Sequence, residues 1–283
     1  MTAALRFAVI GCPVAHSKSP SMHEAAYRAL GLPHRYEKVE TTSEELPSRV
    51  DALRAGDFAG LNVTVPHKRA VLALVDEIDA SARATGAANT LVRSEGRRVR
   101  AYNTDAPALR DELLRLAGDV NVVRDRSAIV FGTGGAARAA IFALGELRPS
   151  RMIVRARRRA DELVDVLRAS GSSAALTFET LDQPPSEPAD VAAIVQATTA
   201  GMHGSGVAGE VVADAVVWTS VPADCVVYDV VYAPSRTALI ARAEARGLAH
   251  DSGLGMLVRQ GALAFQLWLG AQPPLDVMRA ALG

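Results

Sequence analysis

Ala128-Ile129-Val130-Phe131-Gly132-Thr133-Gly134-Gly135-Ala136-Ala137-Arg138 runs from an apolar, β-branched strand through a glycine loop into a helix-forming stretch. Strand, glycine loop and helix follow one another in the order that nucleotide-binding α/β units use. Gly132-x-Gly134-x-x-Ala137 fits the dinucleotide fingerprint in its Gly/Ala form. The first glycine permits a tight turn, the second lets the backbone approach a pyrophosphate, and Ala137 keeps helix and strand close. The next strand bears on which dinucleotide is bound. An NAD site places an acid about 20 residues after the loop, on the ribose 2′-hydroxyl. Here that stretch reads Ile153-Val154-Arg155-Ala156-Arg157-Arg158-Arg159, with no acid before Asp161. Guanidinium groups pair well with a 2′-phosphate, so Arg155 and Arg159 point to NADP(H). A solvated basic run is the plain alternative.

Outward from this unit, the pattern predicts two α/β domains. Residues 5–105 alternate short apolar strands with helical stretches, as a parallel, helix-covered sheet does. Strands are expected at 5–10, 36–39 and 60–63, with a hairpin over 89–102 that turns at Ser94-Glu95-Gly96. Ser19-Pro20 reads as an N-cap followed by proline at the first helical position, opening a helix that stops at Gly31. A helix opening at Asp105 and ending at Gly118 crosses into the second domain. Strands at 152–155, 174–178, 191–195 and 226–230 complete a Rossmann-like unit. A long apolar helix from about Met256 is expected to return to the first domain. The expected domains are therefore 1–104 with 253–283, for substrate and catalysis, and 105–252, for NADP. Residues 183–188 read as a proline-rich linker and 201–209 as a mobile glycine-rich loop.

Bulk properties narrow the class. Lys plus Arg and Asp plus Glu number 31 each in 283 residues, so no global field points to nucleic acid or an acidic membrane. No apolar run reaches the roughly 18 residues that span a bilayer. The run before Cys12 is too short, and interrupted by Arg6, for a signal segment. Cys12 and Cys225 stand far apart with no metal-ligand spacing. A cytoplasmic monomer or homodimer that binds small molecules and no metal is the expectation.

A second stretch carries the chemistry. Gly60-Leu61-Asn62-Val63-Thr64-Val65-Pro66-His67-Lys68 ends an apolar strand in polar side chains, and Pro66 suits the first position of a helix with Ala70, Val71, Leu72, Leu74 and Val75 on its apolar face. Lys68 then falls in the first turn, where the helix dipole opposes a cation and favours release of its proton. A proton shuttle is one reading and a solvated lysine the other.

Taken together, the motifs resemble shikimate dehydrogenase from Gly11 to Gly270. The resemblance rests on Gly11-x-Pro13-x-x-His16-Ser17-Lys18-Ser19-Pro20-x-x-His23, Asn62-Val63-Thr64-x-Pro66-x-Lys68, Gly86-Ala87-Ala88-Asn89-Thr90 and Asn103-Thr104-Asp105. It continues in Gly132-x-Gly134-Gly135-Ala136-Ala137-Arg138, Thr198-x-x-Gly201-Met202, Tyr228-Asp229-x-Val231-Tyr232-x-Pro234-x-x-Thr237 and Gly253-Leu254-Gly255-Met256-Leu257-x-x-Gln260. It implies reversible reduction of 3-dehydroshikimate to shikimate by NADPH, with Lys68 and Asp105 as the catalytic pair. By the same matching, Ser17 and Ser19 would bind the substrate carboxylate, while Asn62, Thr64, Asn89, Tyr232 and Gln260 would hold ring hydroxyls. Gly132, Gly134, Gly135, Ala136, Thr198, Gly253 and Met256 would join Arg155 and Arg159 at the cofactor, Met256 packing on the nicotinamide. Asp105 and Ser19 also read as helix N-caps, and Met256 as core.

The chain departs from the family pattern at Val154 and Gln196, where asparagine is usual, and at Glu24 after His23. A quinate or aminoshikimate dehydrogenase of the same family is the near alternative. A non-catalytic NADP-binding regulatory protein is the remote one.

Overall fold

The computed structural model describes residues 3–119, 121–181 and 188–283. All of the expected linker 183–188 except Pro188 lies outside the described residues. The chain divides into two compact units, Met1–Asp105 with Leu257–Gly283, and Ala106–Met256.

The first unit opens with β1 (Arg6–Gly11), α1 (Ser19–Ala29), β2 (Arg35–Glu40), α2 (Leu46–Ala55) and β3 (Gly60–Val63). It continues with β4 (Glu77–Ile78), α3 (Ala80–Thr85), β5 (Thr90–Arg93) and β6 (Val99–Tyr102), and α4 (Asp105–Ala117) starts at its last residue. Its six strands lie in the order β2-β1-β3-β5-β6-β4. β1 pairs in parallel with β2 and β3, whereas β5 runs antiparallel to both β3 and β6. The hairpin is thus inserted into an otherwise parallel sheet. One face buries Ala8, Ile10, Val50, Leu53, Leu61, Val63 and Leu91. The opposite face carries aromatic rings: Phe7 lies against Tyr27 and Trp268, and His23 stacks on Tyr36. Gly60 is required there, because a Cβ would fall on the Trp268 indole.

The second unit contains β7 (Ser127–Phe131), α5 (Gly135–Glu146), β8 (Arg151–Ala156), α6 (Leu163–Ala169), β9 (Ala175–Thr180) and β10 (Val191–Gln196). After these come α7 (Glu210–Ala213), β11 (Val226–Asp229), α8 (Ala238–Ala245) and β12 (Ala249–Ser252). α9 (Leu254–Leu269) begins in this unit and ends in the first, followed by α10 (Leu275–Ala280). The strand order is β12-β11-β10-β7-β8-β9 and every pairing is parallel. Numbered from β7 and taken from the β9 edge, it is the 3-2-1-4-5-6 order of a doubly wound dinucleotide fold. β7 is covered on both sides, and its residues show why. Ala128 and Val130 enter one apolar core while Ile129 and Phe131 enter the other, so alternate side chains leave water in opposite directions. Each large side chain so buried contributes about 1.5–3 kcal/mol.

Two local expectations change. α1 begins at Ser19 with Lys18 as its N-cap residue, whose side chain makes no capping bond, and the Ser19 hydroxyl is not spent on the helix. No α-helix follows Pro66 either: a turn over residues 65–69 leads into a short 3₁₀ helix, Ala70–Ala73. The Lys68 carbonyl, which a helix would give to Leu72, accepts from the Ala88 N–H at 2.7 Å, while the Leu72 N–H turns to Arg69. A tertiary bond replaces the helical one, and the helix-dipole argument for Lys68 falls with it.

Candidate active site

In the first unit the polar residues collect at one end of the sheet because of strand register. Asn62 pairs with Thr90 and Thr90 with Tyr102, which brings together the C-terminal ends of β3 and β6 and the N-terminal end of β5. Thr64 and Lys68 follow β3, Asn89 precedes β5, and Asn103, Thr104 and Asp105 follow β6.

Lys68 Nζ donates to Asp105 Oδ2 at 2.6 Å, with the two side chains only 15% and 5% exposed. Little solvent screens this pair, and Asp105 opens α4, where a carboxylate suits the positive helix end. Its other oxygen accepts from Asn89 Nδ2 at 2.9 Å. Asn89 is held in turn by Thr104, whose N–H donates to Asn89 Oδ1 at 2.7 Å. Its amide also donates to Thr104 Oγ1 at 2.8 Å and to Gln260 Oε1 at 3.2 Å. Gln260 thus joins Asn89 from α9. The Ser17 hydroxyl oxygen accepts from the Ser19 N–H at 3.3 Å, which leaves its own proton to donate elsewhere. The hydroxyls of Ser19 and Thr64 have no hydrogen-bond partner among the described residues.

Asn62 behaves differently from expectation. Both of its amide donors are committed, to Asn89 O and to Thr90 Oγ1 at 3.1 Å each, and its oxygen accepts from the Tyr36 hydroxyl at 2.6 Å. It is buried among protein partners and has no donor left for a ring hydroxyl. Tyr36, Thr90 and Thr104 were absent from the expected set. Thr90 and Thr104 adjoin it in sequence, whereas Tyr36 carries no local signal.

The second unit's site lies at the sheet's switch point, between β7 and β10. Gly132 has φ of 109°, and a Cβ on it would stand 2.9 Å from Thr198 Cγ2 and 3.1 Å from Ala197 O. Only glycine fits both that backbone and that approach. Gly134 caps α5 with φ of −77°, and a Cβ there would meet nothing within 4 Å. The space above Gly134 is open, and no side chain caps the N–H groups of Gly135 and Ala136 in the first turn. Such a helix start is suited to a phosphate. Thr198 is fixed by Gln196, which accepts from the Thr198 N–H and donates to Ala200 O at 3.1 Å. Gly253 has a packing reason, since a Cβ would strike the Val230 backbone. Met256 is 6% exposed within an apolar core that includes Tyr228, whose hydroxyl accepts from the Met256 N–H at 3.1 Å. Its side chain is core rather than open to a nicotinamide. Tyr232 follows β11 and belongs to this unit, whereas the Lys68 group belongs to the first.

Arg155 also departs from expectation. It is 2% exposed, donates to Glu179 Oε2 at 2.8 Å and to Ala215 O at 2.7 Å, and is cross-strand neighbour to Glu179. Its charge is neutralised inside the fold. Arg159 pairs with Asp161 in the open, an arrangement water screens strongly. Arg157 and Arg158 are exposed and have no partner among the described residues.

A doubly wound sheet with an uncapped glycine loop at its switch point, together with a nearly buried lysine–aspartate pair, defines a dinucleotide-dependent oxidoreductase of two α/β units. The comparisons name the kind. A family model for the shikimate dehydrogenase substrate binding domain matches residues 9–91, and one for the shikimate 5′-dehydrogenase C-terminal domain matches residues 253–282. Shikimate dehydrogenase (NADP(+)) from Symbiobacterium thermophilum is 39% identical over 285 residues, covering 96% of this chain and 92% of the relative. The structure of shikimate 5-dehydrogenase from Thermus thermophilus in complex with NADP(H) and shikimate is similar at a TM-score of 0.77 and 36% identity, with 98% of each chain covered. Quinate dehydrogenase from Corynebacterium glutamicum in complex with NAD is similar at a TM-score of 0.84 and 29% identity, covering 99% of this chain and 98% of that one. The chain belongs to the shikimate dehydrogenase family.

Proposed function

We propose that this protein catalyses the NADP-dependent, reversible reduction of 3-dehydroshikimate to shikimate, with substrate held by the first unit and NADP by the second. The observation that carries this reading is the Lys68–Asp105 pair, 2.6 Å apart and nearly buried.

Bound NADP(H) supplies or accepts the hydride at the carbon that changes between ketone and alcohol. That transfer also requires a proton at the oxygen, and Lys68 is the group placed to give it in reduction and take it in oxidation. Asp105 orients the ammonium and balances its charge. Ser17 and Ser19 bind the substrate carboxylate, while Thr64 and Gln260 hold ring hydroxyls; Asn89, its amide already engaged by Asp105, Thr104 and Gln260, steadies Asp105 instead. A site of hydrogen-bonding groups rejects analogues that leave them unpaired. Gly132 and Gly134 keep the backbone clear for the pyrophosphate, and the N–H groups of Gly135 and Ala136 donate to it. Arg157 and Arg158, with Arg159, take the 2′-phosphate, in place of the engaged Arg155. The protein works in the cytoplasm as a monomer or homodimer; among the described residues no helix is long and apolar enough to cross a membrane.

The test is an absorbance assay of NADPH formation with shikimate, quinate or aminoshikimate against NADP or NAD. Turnover with shikimate and NADP is expected. Turnover confined to quinate with NAD would replace this reading with the alternative that the Corynebacterium structure favours. Silence with every pair would leave a dinucleotide-binding protein without this chemistry.

A further inference from the structure

The hydrogen-bond chain that ends at Lys68 begins away from the strand ends. Tyr36 on β2 is buried, and its ring lies flat on His23, with centroids 4.4 Å apart and planes 3° apart. In register Tyr36 pairs with Phe7 and Asn62 with Val9, so the phenol reaches over β1 to place its hydroxyl on Asn62 Oδ1 at 2.6 Å. A carboxamide whose oxygen is held this way has one favourable orientation. Flipped, it would set its oxygen against Asn89 O, two acceptors with no proton between them, in a site closed to water. Held, it donates to Asn89 O and Thr90 Oγ1. Asn89 then donates to Asp105 Oδ1, and Asp105 accepts from Lys68. Every member of this chain except Lys68 is buried.

We propose that Tyr36 is a positioning residue for the Lys68–Asp105 pair, acting through Asn62 and Asn89 without touching substrate. Its hydroxyl fixes the Asn62 amide, the amide fixes the backbone that carries Asn89, and Asn89 sets the face that Asp105 turns to the ammonium. The kinetic part of the test rests on the dehydrogenase reading, whereas the labelling part does not.

Tyr36→Phe keeps the ring stacked on His23 and removes the hydroxyl alone. With shikimate and NADP, kcat is expected to fall by about tenfold to a hundredfold, as small misplacements of catalytic groups do, while KM for shikimate stays within about twofold. Without substrate, the rate at which an amine reagent acylates Lys68 at fixed pH, followed by mass spectrometry, is expected to change by about threefold, because its partner has shifted. A lowered melting temperature with kcat and the labelling rate both unchanged would overturn the proposal. So would a rise in KM alone, which would make the chain a substrate contact. Should the wild-type protein turn over no ring acid, the labelling rate still decides the role of Tyr36.

Discussion

Lys68 shows what a single residue owes to its surroundings. Its turn is not helical, and what places the ammonium is the Asp105 carboxylate at 2.6 Å together with the Ala88 N–H on its own carbonyl. Lys68→Ala is therefore expected to lower kcat by about 10²- to 10⁴-fold, the range that proton transfer contributes, with a much smaller change in KM. Steady-state kinetics with shikimate and NADP check this; a change in KM alone would make Lys68 a binding residue. Lys68 and Asp105 were legible because they stand in ordered motifs. Tyr36 was not, since its partner Asn62 is 26 residues away and is reached only once β1 lies between β2 and β3. Arg155 misled for the same reason. As sequence it is a free guanidinium at a strand end, and only the parallel register of β8 on β9 brings Glu179 opposite it.

At the scale of elements, the β7–α5 loop separates two uses of glycine that the fingerprint writes with one letter. Gly132→Ala puts a side chain at φ of 109° and against Thr198 and Ala197, so it is expected to cost about 1–3 kcal/mol of stability. Gly134→Ala meets nothing and has an ordinary φ, so its melting temperature should hold or rise slightly, the unfolded chain having lost freedom. Its methyl group nonetheless stands where the proposed site takes the pyrophosphate. NADP affinity is expected to weaken by about tenfold or more, roughly 1.4 kcal/mol. Thermal melts beside calorimetric NADP titrations read both, and an unaltered dissociation constant in Gly134→Ala would remove this loop from the cofactor site. The loop was legible because a glycine's requirement is local: the turn, the close approach and the helix start all lie within a few residues. The helix expected after Pro66 failed because the Lys68 carbonyl was claimed from outside, by the Ala88 N–H of a later loop. The short strands β4 and β12 gave no apolar run to find, since their places depend on the sheet edges they join.

For the whole molecule, two buried groups make the units answer acid in opposite senses. His23, in the first unit, sits among aromatic rings with neither ring nitrogen hydrogen-bonded among the described residues, and burial lowers its pKa from 6.5 to about 3. The folded imidazole stays neutral where the unfolded one gains a proton, so the stability it contributes is full above 6.5 and drains away as pH falls toward 3. His34 is shifted downward by burial in the same unit and adds to the trend. Asp229, in the second unit, is pushed up from 3.8 to about 6 by burial, against the opposing hydrogen bonds from Thr237 and the Val231 N–H. Its stability runs the other way, complete below 3.8 and lost as pH rises through 6. Between pH 7 and 5 the first unit should thus lose about 2 kcal/mol through His23 while the second gains about 1 kcal/mol through Asp229, on the order of 1 kcal/mol per pH unit. Hydrogen exchange followed peptide by peptide, corrected for intrinsic rates, should show protection falling in the first unit and rising in the second over that interval. His23→Phe keeps a flat ring against Tyr36 and should flatten the first trend, and Asp229→Asn should flatten the second, each without touching the other unit. Protection that moved in the same direction in both units, or a slope in the first unit that survived His23→Phe, would mean that other groups govern the acid response.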